Sequence, residues 1–163
     1  MRFSIEQRYA ADVDAVARAY TDPALYAAFD GLPKLTQPDV LSREADGDTV
    51  VLEVRYRFVG DLNAAARAVI DPTRLTWVER SVHDLAARST SFTMVPDHYA
   101  DRFRCRGSYR FDPADGGCLR RGEGEVRVKA LLVAGAVEGA IVSGLEEHLA
   151  GEVSVVEAFV HGA

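Results

Sequence analysis

The sequence predicts an α+β domain in which a curved antiparallel sheet closes around one long C-terminal helix. Three observations predict it. Near the C-terminus Val133, Val137, Ile141, Leu145, Leu149 and Val153 recur every fourth residue, followed by Val156 and Val160, the stripe of a single amphipathic helix. Over 37–129 the apolar period is two, in segments separated by turn residues. Between a first alternating segment and that region, residues 12–29 carry two helix starts. The 163 residues suit a single domain, 1–163. A chain of this size buries roughly 70% of its unfolded surface, so it needs no metal or disulfide to fold.

At the N-terminus Phe3, Ile5 and Tyr9 alternate with Arg2, Ser4, Glu6 and Arg8, predicting a strand over 2–9. Asp12 suits the N-cap of a helix over 13–21, and Asp22-Pro23 suits the cap and first position of a second over 23–29. A strand over 38–45 turns through Asp46-Gly47 into one whose Val50, Leu52, Val54, Tyr56 and Phe58 share a face, with Glu53, Arg55 and Arg57 opposite. Residues 60–73 break the period. Asn63 is placed to cap a short helix to 69, which reads equally as a cover over a pocket mouth and as a plain connector.

Strands resume over 74–84, 87–96, 102–112 and 118–129, seven in all. In the third of these Phe103, Cys105, Tyr109 and Phe111 face one way, and Arg102, Arg104, Arg106 and Arg110 form a solvated outer row. Glu123 and Glu125 are its expected partners, at most ~1 kcal/mol per exposed pair. A hairpin through 112–117 pairs Phe111 with Cys118 and leaves Cys105 opposite Gly124. The two sulfurs then lie ~20 Å apart, and both thiols are expected reduced. Gly122 and Gly124 read as a bulge or tight bend. The first half of the final helix is filled by Gly135, Ala136, Gly139, Ala140, Ser143 and Gly144. Interior glycines cost roughly 1 kcal/mol each against Ala, so this helix is expected to lie closely on the sheet, as the lid of a cavity.

The net charge of −6 argues against nucleic-acid partners and against docking on anionic lipid. The first residues are too polar for a leader or anchor, and no run is long enough for stable membrane insertion; a cytoplasmic protein is expected. The pair Gly135 and Gly139 fits a helix–sheet contact better than a membrane dimer. His83, His98, His148 and His161 are scattered without metal-ligand spacing, so no metal and no cofactor are expected.

The order is therefore strand, two short helices, six antiparallel strands and a long helix. With the strings MRFSIEQRYAADVDAVARAYTDPALY, DGDTVVLEVRYRFVGDL, RLTWVER, VPDHYADRFRCRGSYRF and AIVSGLEEHLAGE, the chain resembles the helix-grip fold of the START/SRPBCC superfamily over its whole length. It is most similar to the bacterial helix-grip family known only as domain of unknown function 2505. The resemblance implies a curved seven-stranded antiparallel sheet wrapped around the C-terminal helix and a hydrophobic cavity between them. None of the strings is a catalytic signature.

Tyr56, Phe58, Phe92, Met94, Phe103 and Tyr109 are expected on the concave face and, with Val137, Ile141 and Leu145 of the helix, to line that cavity or to pack a solid core. For the strand over 74–84, a two-residue turn at Ala86-Ala87 pairs Ser81 with Phe92 and aims Trp77, Glu79 and His83 inward. A three-residue turn aims Val78, Arg80 and Val82 inward instead; the need to bury Trp77 favours the first. Glu79 and His83 are then about 13 Å apart, able to meet opposite ends of a ligand but not each other. Asp97, His98, Tyr99 and Asp101 form either an acid–base cluster or an ordinary polar turn in which Asp97 caps its own backbone. His148 borders the buried stripe of the helix.

Three functions stay open at this stage. The first is non-enzymatic binding of a small apolar molecule of lipid, polyketide, isoprenoid or quinone type, with Trp77 among the lining residues. The second, drawn from the resemblance, is a polyketide cyclase or aromatase with Glu79, His83 or Tyr109 as proton carriers. The third is a protein-interaction module, which requires an exposed apolar patch that the sequence does not display.

Overall fold

The computed structural model describes residues 1–60, 62, 64–68, 70–130 and 132–162, with the side chains of all but 65 and 66. Strand β1 (Arg2–Tyr9) leads into helices α1 (Val13–Ala19) and α2 (Pro23–Ala27), then strands β2 (Asp39–Asp46) and β3 (Thr49–Arg57). A helical turn, α3 (Ala64–Arg67), precedes β4 (Thr76–Asp84), β5 (Ser89–Pro96), β6 (Phe103–Ala114) and β7 (Gly117–Val128). Helix α4 (Ala134–Gly162) ends the chain. The seven strands form one curved antiparallel sheet in the order β1-β7-β6-β5-β4-β3-β2, and the fold is the helix grip. Positions 63 and 69, the expected cap and end of the short helix in the insertion, lie outside the described residues.

Local chemistry sets the elements as the sequence leads one to expect. The Asp12 carboxylate caps α1 by accepting from the N–H groups of Asp14 (2.9 Å) and Ala15 (3.2 Å), and Asp22 caps α2 through Ala24 (2.9 Å). Both helices end earlier than expected, at Ala19 and Ala27. On β3 Val50, Leu52, Val54 and Tyr56 are buried, giving the predicted two-residue period. Ser81 pairs with Phe92, so Trp77, Glu79 and His83 do point inward from β4.

The β6–β7 hairpin differs from its expected register by two residues. Its turn is only Asp115-Gly116, with Gly116 at φ +79°, so Phe111 pairs with Arg120 rather than Cys118 and Cys105 with Val126 rather than Gly124. A slip of two leaves every side chain on its expected face. Both cysteines are free and buried; burial pushes the thiol of Cys105 up to about 12 and that of Cys118 to about 11. Gly122 and Gly124 make no bulge, since pairing on both sides runs in register through them. They face inward and seat aromatic rings instead: a Cβ at Gly122 would lie 2.7 Å from the ring of Tyr109, and the ring of Phe3 covers Gly124. On the outer face Arg110 pairs with Asp112 (2.9 Å), and Glu125 with Arg127 of its own strand (2.7 Å) rather than with the arginine row of β6.

Helix α4 has 29 residues and spans about 43 Å. It begins at Ala134 and packs on β7, β1 and α1. Its glycines do not serve the close helix–sheet contact expected of them. A Cβ at Gly135 or Gly144 would meet nothing within 4 Å, and one at Gly139 only the end of Met1 at 3.7 Å. Gly151 alone of these is tight, 3.2 Å from both Leu32 and Pro33. Among the described residues no helix is long and apolar enough to cross a membrane.

Candidate functional site

A cavity of ≈ 670 Å³ lies between the sheet and α4. From the helix it is lined by Val137, Ala140, Ile141, Gly144, Leu145 and His148, and from the sheet by Trp77, Met94, Phe103, Cys105, Val126 and Val128. Ala140 and Gly144 face this space without filling it, which is why a Cβ at Gly144 would touch nothing. The connectors shape the mouth: Leu62 and Ile70 come from the insertion, Phe58 and Leu75 from its two flanks, and His98 and Tyr99 from the turn after Pro96. Lys34, Arg74, Arg102 and Lys129 add cations to its rim.

The turn at 97–101 braces this rim. The Tyr99 hydroxyl accepts from the N–H of Asp71 at 3.2 Å, the Arg74 guanidinium stacks 5.5 Å over the Tyr99 ring, and its Nη2 lies 3.3 Å from Nδ1 of His98. The Asp97 carboxylate pairs with Arg55 at 3.4 Å, in place of the self-capping expected from the sequence.

Beyond the inner end of the cavity lies a chamber of ≈ 50 Å³. It shares Leu35, Trp77, Met94, Leu145 and His148 with the larger space and adds Tyr56, Glu79, Tyr109, Arg120 and Glu152. Arg120 of β7 organises this region, with its guanidinium 3.6 Å from the Tyr109 ring centre on one side and 3.9 Å from that of Tyr20 on another. Its Nη1 donates to Oε1 of Gln7 (2.7 Å) and Oε2 of Glu152 (3.4 Å). Gln7 in turn donates from Nε2 to the Leu149 carbonyl of α4 (2.6 Å). Tyr20 donates to Glu152 Oε2 (2.9 Å), so in the 2.8 Å pair between the Tyr9 and Tyr20 hydroxyls Tyr9 is the donor. His148 donates from Nδ1 to the Pro33 carbonyl at 3.0 Å and sets Nε2 3.3 Å from Glu152 Oε1.

Electrostatics follow from this geometry. Burial alone would raise the Glu152 carboxyl, but His148, Arg120 and Tyr20 outweigh it and hold the group below its ordinary value. Burial opposes charge on His148 as well, and Glu152 reverses the sign, so the imidazole titrates above its ordinary value. Glu79 lacks such partners. Burial, reinforced by the charge of Glu152 and only partly offset by Arg120 and His148, pushes its carboxyl up to about 7. Desolvation also raises the phenols of Tyr20, Tyr56 and Tyr109.

Of the ten residues expected to line the cavity, Phe58, Trp77, Met94, Phe103, Val137, Ile141 and Leu145 border the larger space. Tyr56 and Tyr109 border the inner chamber, Tyr56 stacking on Trp77 at 5.7 Å. Phe92 borders neither; it packs on Tyr109 at 5.1 Å. His83 also lies away from the cavity. Both its ring nitrogens are engaged, Nε2 with Ser81 (2.9 Å) and Nδ1 with Thr90 (3.0 Å), and burial, then the charge of Arg120, lower it to about 4. It is a core histidine, and Glu79 and His83 do not address two ends of one ligand. Gln7, Arg120 and Glu152 escaped sequence reasoning, although each left a signal: a polar residue on the buried face of an otherwise apolar β1, β7 or α4. Among the described residues no group of three or more His, Cys, Asp or Glu is placed to hold a metal ion.

The family described as "Protein of unknown function (DUF2505)" matches residues 4–160. No curated protein matches the chain at a significant level. Among solved structures, the protein TTHA0849 from Thermus thermophilus is similar with a TM-score of 0.68 at 16% identity, over 99% of this chain and 98% of that one. The Zhui aromatase/cyclase from Streptomyces sp. R1128 gives 0.64 at 14% identity, over 99% and 93% of the two chains. Norcoclaurine synthase from Thalictrum flavum gives 0.59 at 19% identity, over 100% and 86%. At these identities the likeness concerns the fold.

Proposed function

The chain belongs to the family described as protein of unknown function (DUF2505), and from that premise we propose that it binds a small hydrophobic molecule, of lipid, polyketide, isoprenoid or quinone type, without transforming it. The observation that carries this reading is the ≈ 670 Å³ cavity, walled by apolar side chains and left open by Ala140 and Gly144 on α4. Its volume falls in the range of small-molecule sites, about 300–1,000 Å³. A helix that accepts glycine there forgoes roughly 1 kcal/mol of helix propensity; that loss makes sense where the space serves a guest.

Trp77 is the only tryptophan of the chain and borders both spaces, so its emission reports occupancy. The test is titration with N-phenyl-1-naphthylamine and with a panel of apolar molecules, read by Trp77 emission and by thermal unfolding. At 100 times Kd a ligand adds about 2.7 kcal/mol of stability, roughly 5–10 °C in Tm for a domain of this size. A panel that moves neither signal refutes the reading. So does a Gly144→Leu variant, its cavity obstructed, that binds as the wild type does.

One observation favours a second reading, acid–base catalysis in the same cavity by an enzyme of polyketide-cyclase type. Glu79, with its carboxyl near 7, suits a group that both takes and gives protons at neutral pH. Incubation with poly-β-carbonyl thioesters tests it. Turnover that vanishes in Glu79→Gln supports catalysis, and turnover unchanged by that substitution excludes Glu79 from it.

A further inference from the structure

We propose that the ≈ 50 Å³ inner chamber is an anchoring subsite for a carbonyl oxygen, of a ketone or a carboxyl group, at the leading end of the molecule that fills the cavity. The proposal rests on the binding reading above and adds the chemical class of the ligand's end.

Polar groups without a partner line the chamber. The hydroxyls of Tyr56 and Tyr109 and the carboxyl of Glu79 make no hydrogen bond to another described residue, and Nε of Arg120 is buried without a partner. The indole N–H of Trp77, in the wall between the two spaces, is also unpartnered. Tyr56, Tyr109 and Arg120 are only 8%, 6% and 5% exposed, so bulk water is not their solvent. Buried polar groups are satisfied in about nine cases of ten; several unsatisfied ones around one small space mark a place for an occupant.

The donor census sets the occupant's chemistry. The Arg120 guanidinium and the nearby indole only donate, the two phenols and a protonated Glu79 can donate or accept, and an ionised Glu79 only accepts. Glu152 is already engaged by Tyr20 and Arg120 and faces His148. The occupant must therefore present lone pairs, and the fixed guanidinium favours partial or full negative charge on the accepting oxygen. The space is small beside the ≈ 670 Å³ cavity, and a C=O or carboxyl terminus is of a size to enter it. The chamber shares the side chains of Leu35, Trp77, Met94, Leu145 and His148 with the larger cavity, so the two spaces adjoin and the tip of an extended ligand in the cavity lies next to the chamber.

The test compares three probes of equal chain length, undecane, 2-undecanone and undecanoic acid, each displacing N-phenyl-1-naphthylamine from the full chain. The expected result is that the ketone or the acid binds at least tenfold more tightly than undecane. In Tyr56→Phe and Tyr109→Phe, which keep the ring stacking, that ratio falls by a factor of three to ten; Glu79→Gln, checked for folding by circular dichroism, provides a third, independent change. Equal affinity for all three probes, or a ratio untouched by all three substitutions, overturns the proposal, leaving the chamber as a water site and the cavity reading intact. Failure of every probe to displace the dye refutes the cavity reading itself, and the anchoring subsite with it.

Discussion

Replacing Glu79 by Gln should stabilise the protein at neutral and alkaline pH and do almost nothing in acid. The carboxyl moves from 4.5 unfolded to about 7 in the fold, because burial and the charge of Glu152 outweigh Arg120 and His148. Between those two values the native state holds a proton that the unfolded chain has lost. Stability linked to this group is therefore fully present below 4.5 and is lost as pH rises through about 7. At 1.36 kcal/mol per pH unit the loss reaches ~3 kcal/mol. That is an upper limit, since part of the side chain borders the chamber, where water moderates the desolvation. Gln keeps the shape and cannot ionise. Urea unfolding of both proteins from pH 5 to pH 8.5 should show the variant gaining roughly 2–3 kcal/mol on the wild type across that range, or about 4–12 °C in Tm. A difference that is flat with pH, or a variant less stable than wild type at pH 8.5, would refute the placement of Glu79 in a poorly solvated site.

Glu152→Ala should cost about 3–5 kcal/mol by urea unfolding, because it leaves the Arg120 guanidinium buried without its counter-charge; pairing it with Arg120→Met should recover part of that loss in a double-mutant cycle. Gly144→Ala should raise stability by up to ~1 kcal/mol, since its Cβ enters open space and helix propensity improves. Thr90→Ala should lower stability by ~1–3 kcal/mol by stripping the partner from Nδ1 of His83, with no effect on ligand affinity by dye displacement. Ellman's reagent should leave Cys105 and Cys118 unmodified in the native protein and titrate both after denaturation, because burial holds both as unreactive thiols.

Local pattern was sufficient for much of this molecule. A two-residue period places Tyr56 inward on β3, a buried Trp77 selects the face of β4, and a four-residue spacing marks the buried stripe of α4, because side-chain direction is a property of helix and strand geometry and needs no neighbour. Even the misjudged β6–β7 hairpin preserved its faces, since strand parity survives a slip of two. Tertiary structure alone decided what the inward side chains meet. Gln7, Tyr20, Arg120 and Glu152 come from four separate segments, and the sheet brings them within hydrogen-bonding reach because β7 pairs with β1 under α4. His83 points inward as the pattern requires, yet Ser81 and Thr90 occupy both its nitrogens away from the cavity. Whether glycine on α4 marks contact or space depends on the distance between helix and sheet, which all the packed side chains set together; at Gly144 that distance leaves a void, at Gly151 it does not.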